Sequence, residues 1–280
     1  MTQRHLIVVL GMHRGGTSVV ARALKALGIS LGSHLSGSGY DNPKGFWEDS
    51  DIMKLNEAIL GSLGLEWNTT IVVPDDLNLS WENEFAKQAI NILASRLSEN
   101  AKWAFKDPRT SRLLFFWNKV FNELHLKLSF VIAVRHPKSV IQSLHKRNRI
   151  DPSTGYRLWL DHMIPTITRT HDAHRVFIDY DLLVDNPRPQ LKRLAERLEQ
   201  PLIDSRDIED FTKTWLDRTL RHSIETRLNQ TPDKSYEGLS NVLYTRLREI
   251  ARDNVSSEDD RLISFVHNIK TKLISNQELL

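Results

Sequence analysis

The chain has 280 residues, 40% of them hydrophobic and 26% charged, enough apolar material for one sizeable α/β domain. A balance of 38 basic against 35 acidic residues gives a net charge of +3, which argues against a nucleic-acid track and suits a small polyanionic ligand held in a local cleft. With no cysteine, disulfides, thiolate nucleophiles and cysteine-based zinc sites are excluded, and a cytoplasmic setting is expected.

The first element is Leu6-Ile7-Val8-Val9-Leu10, a β-branched run ending in Gly11, as a strand buried on both faces in a parallel sheet would read. It is too short to span a membrane and no small-residue cleavage site follows it, so no leader and no membrane span are expected, with the chain starting at or near Met1. The period then changes. Val19, Val20, Ala23, Leu24 and Leu27 recur at helical spacing, and Gly28 is placed to end the helix. Ser30 to Pro43, rich in glycine and serine, reads as a loop, and Asp49, Ser50 and Asp51 are good caps for a helix over Ile52 to Leu60. Further helical stripes run from Phe85 to Leu97 and from Leu113 to Leu124, and Pro137 suits the first turn of another. Strands are expected at Trp103 to Phe105, Leu128 to Val134 and Val176 to Ile178. From about residue 188 only helical stretches remain, Leu191 to Leu198, Tyr244 to Ile250 and Leu262 to Leu273, forming either a cap or a C-terminal bundle. The expectation is a single domain over 1–280. Its class is α/β, a P-loop parallel sheet flanked by helices on both faces, with a mainly helical C-terminal region.

Gly11-Met12-His13-Arg14-Gly15-Gly16-Thr17-Ser18 has the two glycines of a P-loop at the right spacing, with Thr17 where that motif has lysine. The backbone chemistry survives the change. Small residues at a helix N-terminus let the N–H groups of Gly15, Gly16, Thr17 and Ser18 converge on a phosphate or sulfate, and Arg14 supplies positive charge from inside the loop. The plainer reading is a glycine-rich turn that only joins strand to helix.

A loop of this form, with arginine before the glycines and Gly-Thr-Ser after, resembles the 5′-phosphosulfate loop of sulfotransferases. Arg135-His136-Pro137-Lys138-Ser139-Val140-Ile141-Gln142-Ser143, at the end of the strongest strand, is similar to the family pattern in which an arginine and a serine eight residues later bind the nucleotide 3′-phosphate. Phe105-Lys106-Asp107-Pro108-Arg109 resembles the lysine-aspartate-proline segment of tyrosylprotein and related bacterial sulfotransferases. Tyr180-Asp181-Leu182-Leu183 followed by Asn186-Pro187 resembles the family's Tyr-Glu-Asp-Leu segment, with Asp for Glu. The resemblance implies 3′-phosphoadenosine 5′-phosphosulfate (PAPS) as donor, 3′-phosphoadenosine 5′-phosphate (PAP) as product, and a hydroxylated acceptor, a saccharide or small metabolite. It implies donor binding by Arg14, Gly15, Gly16, Thr17, Ser18, Arg135, Ser143 and Tyr180. Lys106 and Arg14 are then the groups at the leaving and equatorial oxygens, with no metal required.

The base implied by the resemblance is Glu48, in Asn42-Pro43-Lys44-Gly45-Phe46-Trp47-Glu48-Asp49, where tyrosylprotein sulfotransferases place their glutamate. Its aromatic neighbours would raise its pKa. A capping role for this carboxylate is the alternative, with Asp49 the next candidate base. Cytosolic sulfotransferases use histidine, so His13, His136 and His145 stay in view. His171 and His174 share a spacing that fits one helical face but lack the acidic partners of a metal site. Arg218 and Arg221 fall where sulfotransferases fold a basic loop over the nucleotide. Lys44, His145, Lys146, Arg147 and Arg149 are candidates for an acceptor cleft or an ordinary solvated face, and Trp47, Trp67 and Trp159 for sugar stacking or core packing. Two other functions compete. One is a P-loop kinase with Asp179 as its metal-holding aspartate. The other is a non-catalytic nucleotide- or glycan-binding module.

Overall fold

A computed structural model of the chain describes residues 4–37, 39, 44–71, 82–202, 206–216, 235–258 and 260–277. Its centre is a sheet of four strands, β1 (His5–Leu10), β2 (Lys102–Lys106), β3 (Lys127–Val134) and β4 (His174–Asp179), all parallel in the order β2-β1-β3-β4. Val9 pairs with Lys106, Leu10 with Ile132, and Val134 with Asp179, so every strand ends at one rim. That rim receives Gly11, Asp107, Arg135 and Tyr180 directly after β1, β2, β3 and β4. Ligands of open parallel sheets bind at such an edge.

Strand alternation splits the core. Leu6, Val8 and Leu10 of β1 point into one apolar cluster and Ile7 and Val9 into the other, as period-two geometry requires. The first cluster is closed by α2 (Ser50–Ser62), α3 (Glu82–Glu99), α4 (Leu114–Leu124), α5 (Pro137–Asn148), α6 (Pro152–Thr168), α10 (Tyr236–Ala251) and α11 (Asp260–Gln277). The second is closed by α1 (Thr17–Ala26), α7 (Tyr180–Asp185), α8 (Pro187–Arg197), α9 (Arg206–Glu209) and the π-helical turn Asp210–Trp215. The expected α/β class, with helices on both faces, is what folds. The C-terminal helices are neither a detached cap nor a separate bundle, because Leu243, Leu247, Leu262, Val266 and Leu273 are buried in the same cluster as β1.

Local signals explain most ends. Asp49 accepts from the N–H groups of Asp51 and Ile52 to start α2, Asp151 from Thr154 to start α6, and Asp179 from Asp181 and Leu182 to start α7. Pro137, Pro152 and Pro187 sit in the first turns of α5, α6 and α8. Trp117 of α4 is fully buried among Phe105, Phe116 and Phe121, and its indole donates to Asn56 Oδ1 at 2.8 Å. Truncating a core tryptophan of this kind costs about 3–5 kcal/mol.

Two points differ from the sequence reading. His171 and His174 do not share a helical face: His171 lies in a turn and His174 opens β4, its Nδ1 2.8 Å from Ser129 Oγ. The chain turns there because α6 has already ended at Thr168. Helix α6 itself carries no apolar stripe, since nearly every residue from Gly155 to Ile167 is buried, polar Arg157, Asp161 and His162 included.

Candidate active site

The loop after β1 is shaped by its glycines. Gly15 N–H donates to Met12 O at 2.9 Å, closing a turn so tight that a Cβ at Gly15 would lie 2.7 Å from that carbonyl. The N–H expected to face a ligand is therefore used inside the turn. Gly16 follows at φ 89°, a left-handed conformation that favours glycine, and caps α1. Beyond it the N–H groups at the start of α1 have no intrahelical acceptor and lie at the positive end of the helix dipole.

Arg14 stands at φ 63° and faces two ways. Its Nε donates to Ser143 Oγ at 2.8 Å, and its carbonyl accepts from Arg135 Nη1 at 2.8 Å. The Arg135 guanidinium lies 4.4 Å over the ring of Tyr180, and that ring walls Gly16, where a Cβ would come within 2.2 Å of Tyr180 Cδ2. Arg135 Nε is buried and has no hydrogen-bond partner among the described residues. Gly16, Arg14, Arg135, Ser143 and Tyr180 thus form one constellation. The Arg14 guanidinium lies on the Ser143 and Arg135 side of the loop.

The second half of the site is an ion pair. Lys106 closes β2 and Glu48 precedes α2; Nζ and Oε1 are 2.6 Å apart, with residue exposures of 3% and 6%. Lys106 also donates to Phe46 O at 3.1 Å and approaches Ser18 Oγ at 3.5 Å, while Ser18 Oγ donates to Phe46 O at 3.1 Å. The ammonium therefore ties the start of α1 to the segment carrying Glu48. Between Phe46 and Glu48, Trp47 sits at φ 59°, a left-handed backbone that an aromatic residue adopts only at some cost. Burial pushes the Glu48 carboxyl above the usual carboxylate range and the nearby Asp107 adds to this, against the pull of Lys106 and Arg109.

Asp107 holds this corner from below. It caps the 3-10 turn Pro108–Ser111, accepts from Asn56 Nδ2 at 3.0 Å and pairs with Arg109 Nη1 at 2.9 Å. Arg109 also bonds Glu57 at 2.8 Å and comes within 4.0 Å of Glu48 Oε2. Arg109 stands within a quoted motif, yet sequence reasoning gave it no task, and Asn56 carried no signal beyond its place on a helix.

The other candidates have structural partners. Asp49 is 1% exposed, caps α2 and pairs with Arg96 Nε at 2.9 Å. His136 caps α5 and lies against Tyr244, with ring centroids 4.8 Å apart, and His145 Nδ1 is bonded to Ile150 O at 2.8 Å. His13 lies against Trp67, ring centroids 4.6 Å apart, and burial holds its pKa well below the ordinary value. Lys44 bonds Trp215 O, Lys146 and Arg149 are exposed, and Arg147 lies 5.5 Å over Trp67. Trp159 is core, while the Trp47 ring meets Lys25 and Trp215. Asn42, Pro43, Arg218 and Arg221 lie outside the described residues. Among the described residues no group of three or more His, Asp or Glu side chains is placed to hold a metal ion, and no helix is long and apolar enough to cross a membrane.

No protein-family model matches the chain, and no curated protein matches it. Among solved structures it is similar to the sulfotransferase domain of the Synechococcus PCC 7002 olefin synthase, with 16% identity over 96% of this chain and 95% of that one and a TM-score of 0.46. It is similar to sulfotransferase STF9 from Mycobacterium avium, with 16% identity, 91% and 78% coverage and a TM-score of 0.47. It is similar also to a sulfotransferase domain of the curacin biosynthetic pathway, with 15% identity, 98% coverage of each chain and a TM-score of 0.45.

Proposed function

We propose that the chain transfers the sulfuryl group of PAPS to a hydroxyl of a saccharide or small metabolite, with Glu48 as base. The observation that carries this reading is the buried Lys106–Glu48 pair, 2.6 Å apart, tied through Ser18 and Phe46 to the N-terminus of α1. A proton acceptor and a cation meet there at the mouth of an anion-binding loop.

When bound, PAPS supplies a sulfuryl group already activated by attachment to phosphate. The residues fit it at both ends. The N–H groups of Gly16, Thr17 and Ser18, with the dipole of α1, would hold the 5′ side. The orphan Arg135 Nε, with Ser143 and Arg14 beside it, would hold the 3′-phosphate, and Tyr180 keeps the Arg135 plane in place by stacking. Lys106 provides positive charge beside Ser18, where negative charge grows as the donor bond breaks. Glu48 has two oxygens with different duties. Oε1 is committed to Lys106, whereas Oε2 is 4.0 Å from Arg109, beyond hydrogen-bond length, and is the oxygen to take the proton of the acceptor hydroxyl. Its raised pKa matches that task, since a base of higher pKa drives the transfer further.

The kinase reading asks Asp179 to hold a metal. Its Oδ1 already accepts from two N–H groups of α7 and its Oδ2 from Arg252 Nε at 2.9 Å, so both oxygens have other work. Calorimetric titration with PAP in metal-free buffer, against ADP, tests the proposal. Preference for PAP, weakened in Arg135→Ala and Ser143→Ala, is expected. Equal binding of ADP, or binding only with magnesium, would overturn it in favour of the kinase.

A further inference from the structure

One seam beside the Lys106–Glu48 pair collects buried polar atoms that nothing in the protein satisfies. Among the described residues 15 buried side-chain nitrogen or oxygen atoms lack a hydrogen-bond partner, and seven belong to His13, Arg109, Arg112, Arg157, Asp161 and His162. These residues adjoin. His13 meets Trp67 at 4.6 Å and His162 edge-on at 5.7 Å, and the carbonyls of Glu66 and Trp67 each accept from Arg112 Nη1 at 3.1 Å. Folded proteins leave few such atoms, so a concentration of them beside the proposed reaction site asks for partners that the chain itself does not supply.

Their donor and acceptor character says which ligand. Arg112 is 2% exposed, and its Nη1 is fixed by the two carbonyls. The orphans, Nε and Nη2, form the opposite edge of the guanidinium, the fork that grips a carboxylate or phosphate with two parallel hydrogen bonds. Asp161 bonds Arg157 at 2.9 Å and also acts on Arg112 across the seam, so one carboxylate serves two guanidinium groups, and among the described residues no carboxylate lies within salt-bridge distance of Arg112. One positive charge is left in the seam. His162 Nδ1 lies 2.7 Å from Leu158 O, and since a carbonyl only accepts, Nδ1 carries the hydrogen and the neutral ring offers Nε2 as an acceptor for a ligand hydroxyl. Arg109 joins the seam to the reaction site: its Nε is an orphan and its Nη1 is 4.0 Å from Glu48.

We propose that Arg112 binds an oxyanion of the acceptor, a carboxylate or a phosphate, so that the acceptor is a hydroxylated anion rather than a neutral saccharide. This rests on the reading of Lys106 and Glu48 as the transfer site and adds the class of molecule presented to them.

The test is calorimetric titration of the whole chain with glycerate, its methyl ester, glycerol 3-phosphate and glycerol, each with and without PAP. At least one acid should bind tenfold or more tighter than its neutral counterpart, and which acid does so assigns carboxylate or phosphate. Arg112→Gln should abolish the preference. Arg112→Lys keeps the stem and charge but not the fork, should lose it too, and serves if the Gln variant does not fold. Equal affinity for acid and neutral probe, binding of none of the four, or an unchanged preference in a folded Arg112 variant would overturn the proposal. Failure of PAP to bind while the preference stands would sink the donor reading alone.

Discussion

Gly16→Ala probes the point where the loop backbone meets Tyr180, which the proposed function places beside the donor. The added Cβ would lie 2.2 Å from Tyr180 Cδ2 and 3.0 Å from Cε2 and Cγ, whereas carbon atoms rest at about 3.5–4.0 Å. The ring has nowhere to retreat, being 9% exposed with the Arg135 guanidinium 4.4 Å above it. At φ 89° the alanine backbone adds about 1–2 kcal/mol of its own, and overpacking adds about 1–3 kcal/mol. Together they predict a loss of about 2–5 kcal/mol in urea unfolding, and, because Tyr180 must move, a PAP affinity at least tenfold weaker by calorimetry. The Gly16→Ala, Tyr180→Ala double variant should regain the packing share relative to Tyr180→Ala alone, leaving about 1–2 kcal/mol of backbone cost. A Gly16→Ala protein with unfolding energy within about 0.5 kcal/mol of the parent, and unchanged PAP affinity, would refute the contact on which this reasoning depends.

Other perturbations separate chemistry from architecture. Glu48→Gln, close in shape to the parent, should slow transfer about 10²–10⁴-fold in single-turnover assays while PAP affinity holds; a parental rate would remove Glu48 as base. The transfer rate should climb with pH through the raised pKa of Glu48, and an acid limb centred on the ordinary carboxylate value would show that burial does not tune it. The stability effect has the opposite sense. A carboxyl whose folded pKa is raised contributes stability that is fully present below its unfolded pKa and is lost as pH rises through the folded one, so the unfolding energy at pH 4 minus that at pH 7 should be more positive in the parent than in Glu48→Gln. Asn56→Leu would strip partners from Asp107, Thr110 and the Trp117 indole, all fully buried, for a cost of about 2–4 kcal/mol in urea unfolding; a loss below about 1 kcal/mol would mean these groups find other partners.

The sheet and the rim that carries the motifs were legible because each strand is a short apolar run followed at once by its motif: Gly11, Asp107, Arg135 and Tyr180. Helix α1 was legible from its stripe and Asp49 from its capping chemistry. Helix α6 was not, since a helix buried on every side has no periodic contrast, and Arg157, Asp161 and His162 stayed hidden with it. Motif spacing placed Arg14 in the loop but not its side chain. Its direction follows from a left-handed backbone that no spacing encodes, and the same holds for the Gly15 N–H folded back on Met12. His171 and His174 failed through period: three residues apart fits a helix, but a turn and a strand start intervene.

Arg14 bonds Ser143 with its side chain and Arg135 with its carbonyl, so the protein's own hydrogen bonds fix that corner. Immobilising a long side chain at an interface costs about 0.5–1.5 kcal/mol, a cost that folding has then already met for Arg14 and Arg135. On the proposed reading, selectivity for a 3′-phosphorylated nucleotide should rest on shape set during folding, with discrimination expressed in how slowly the right nucleotide leaves.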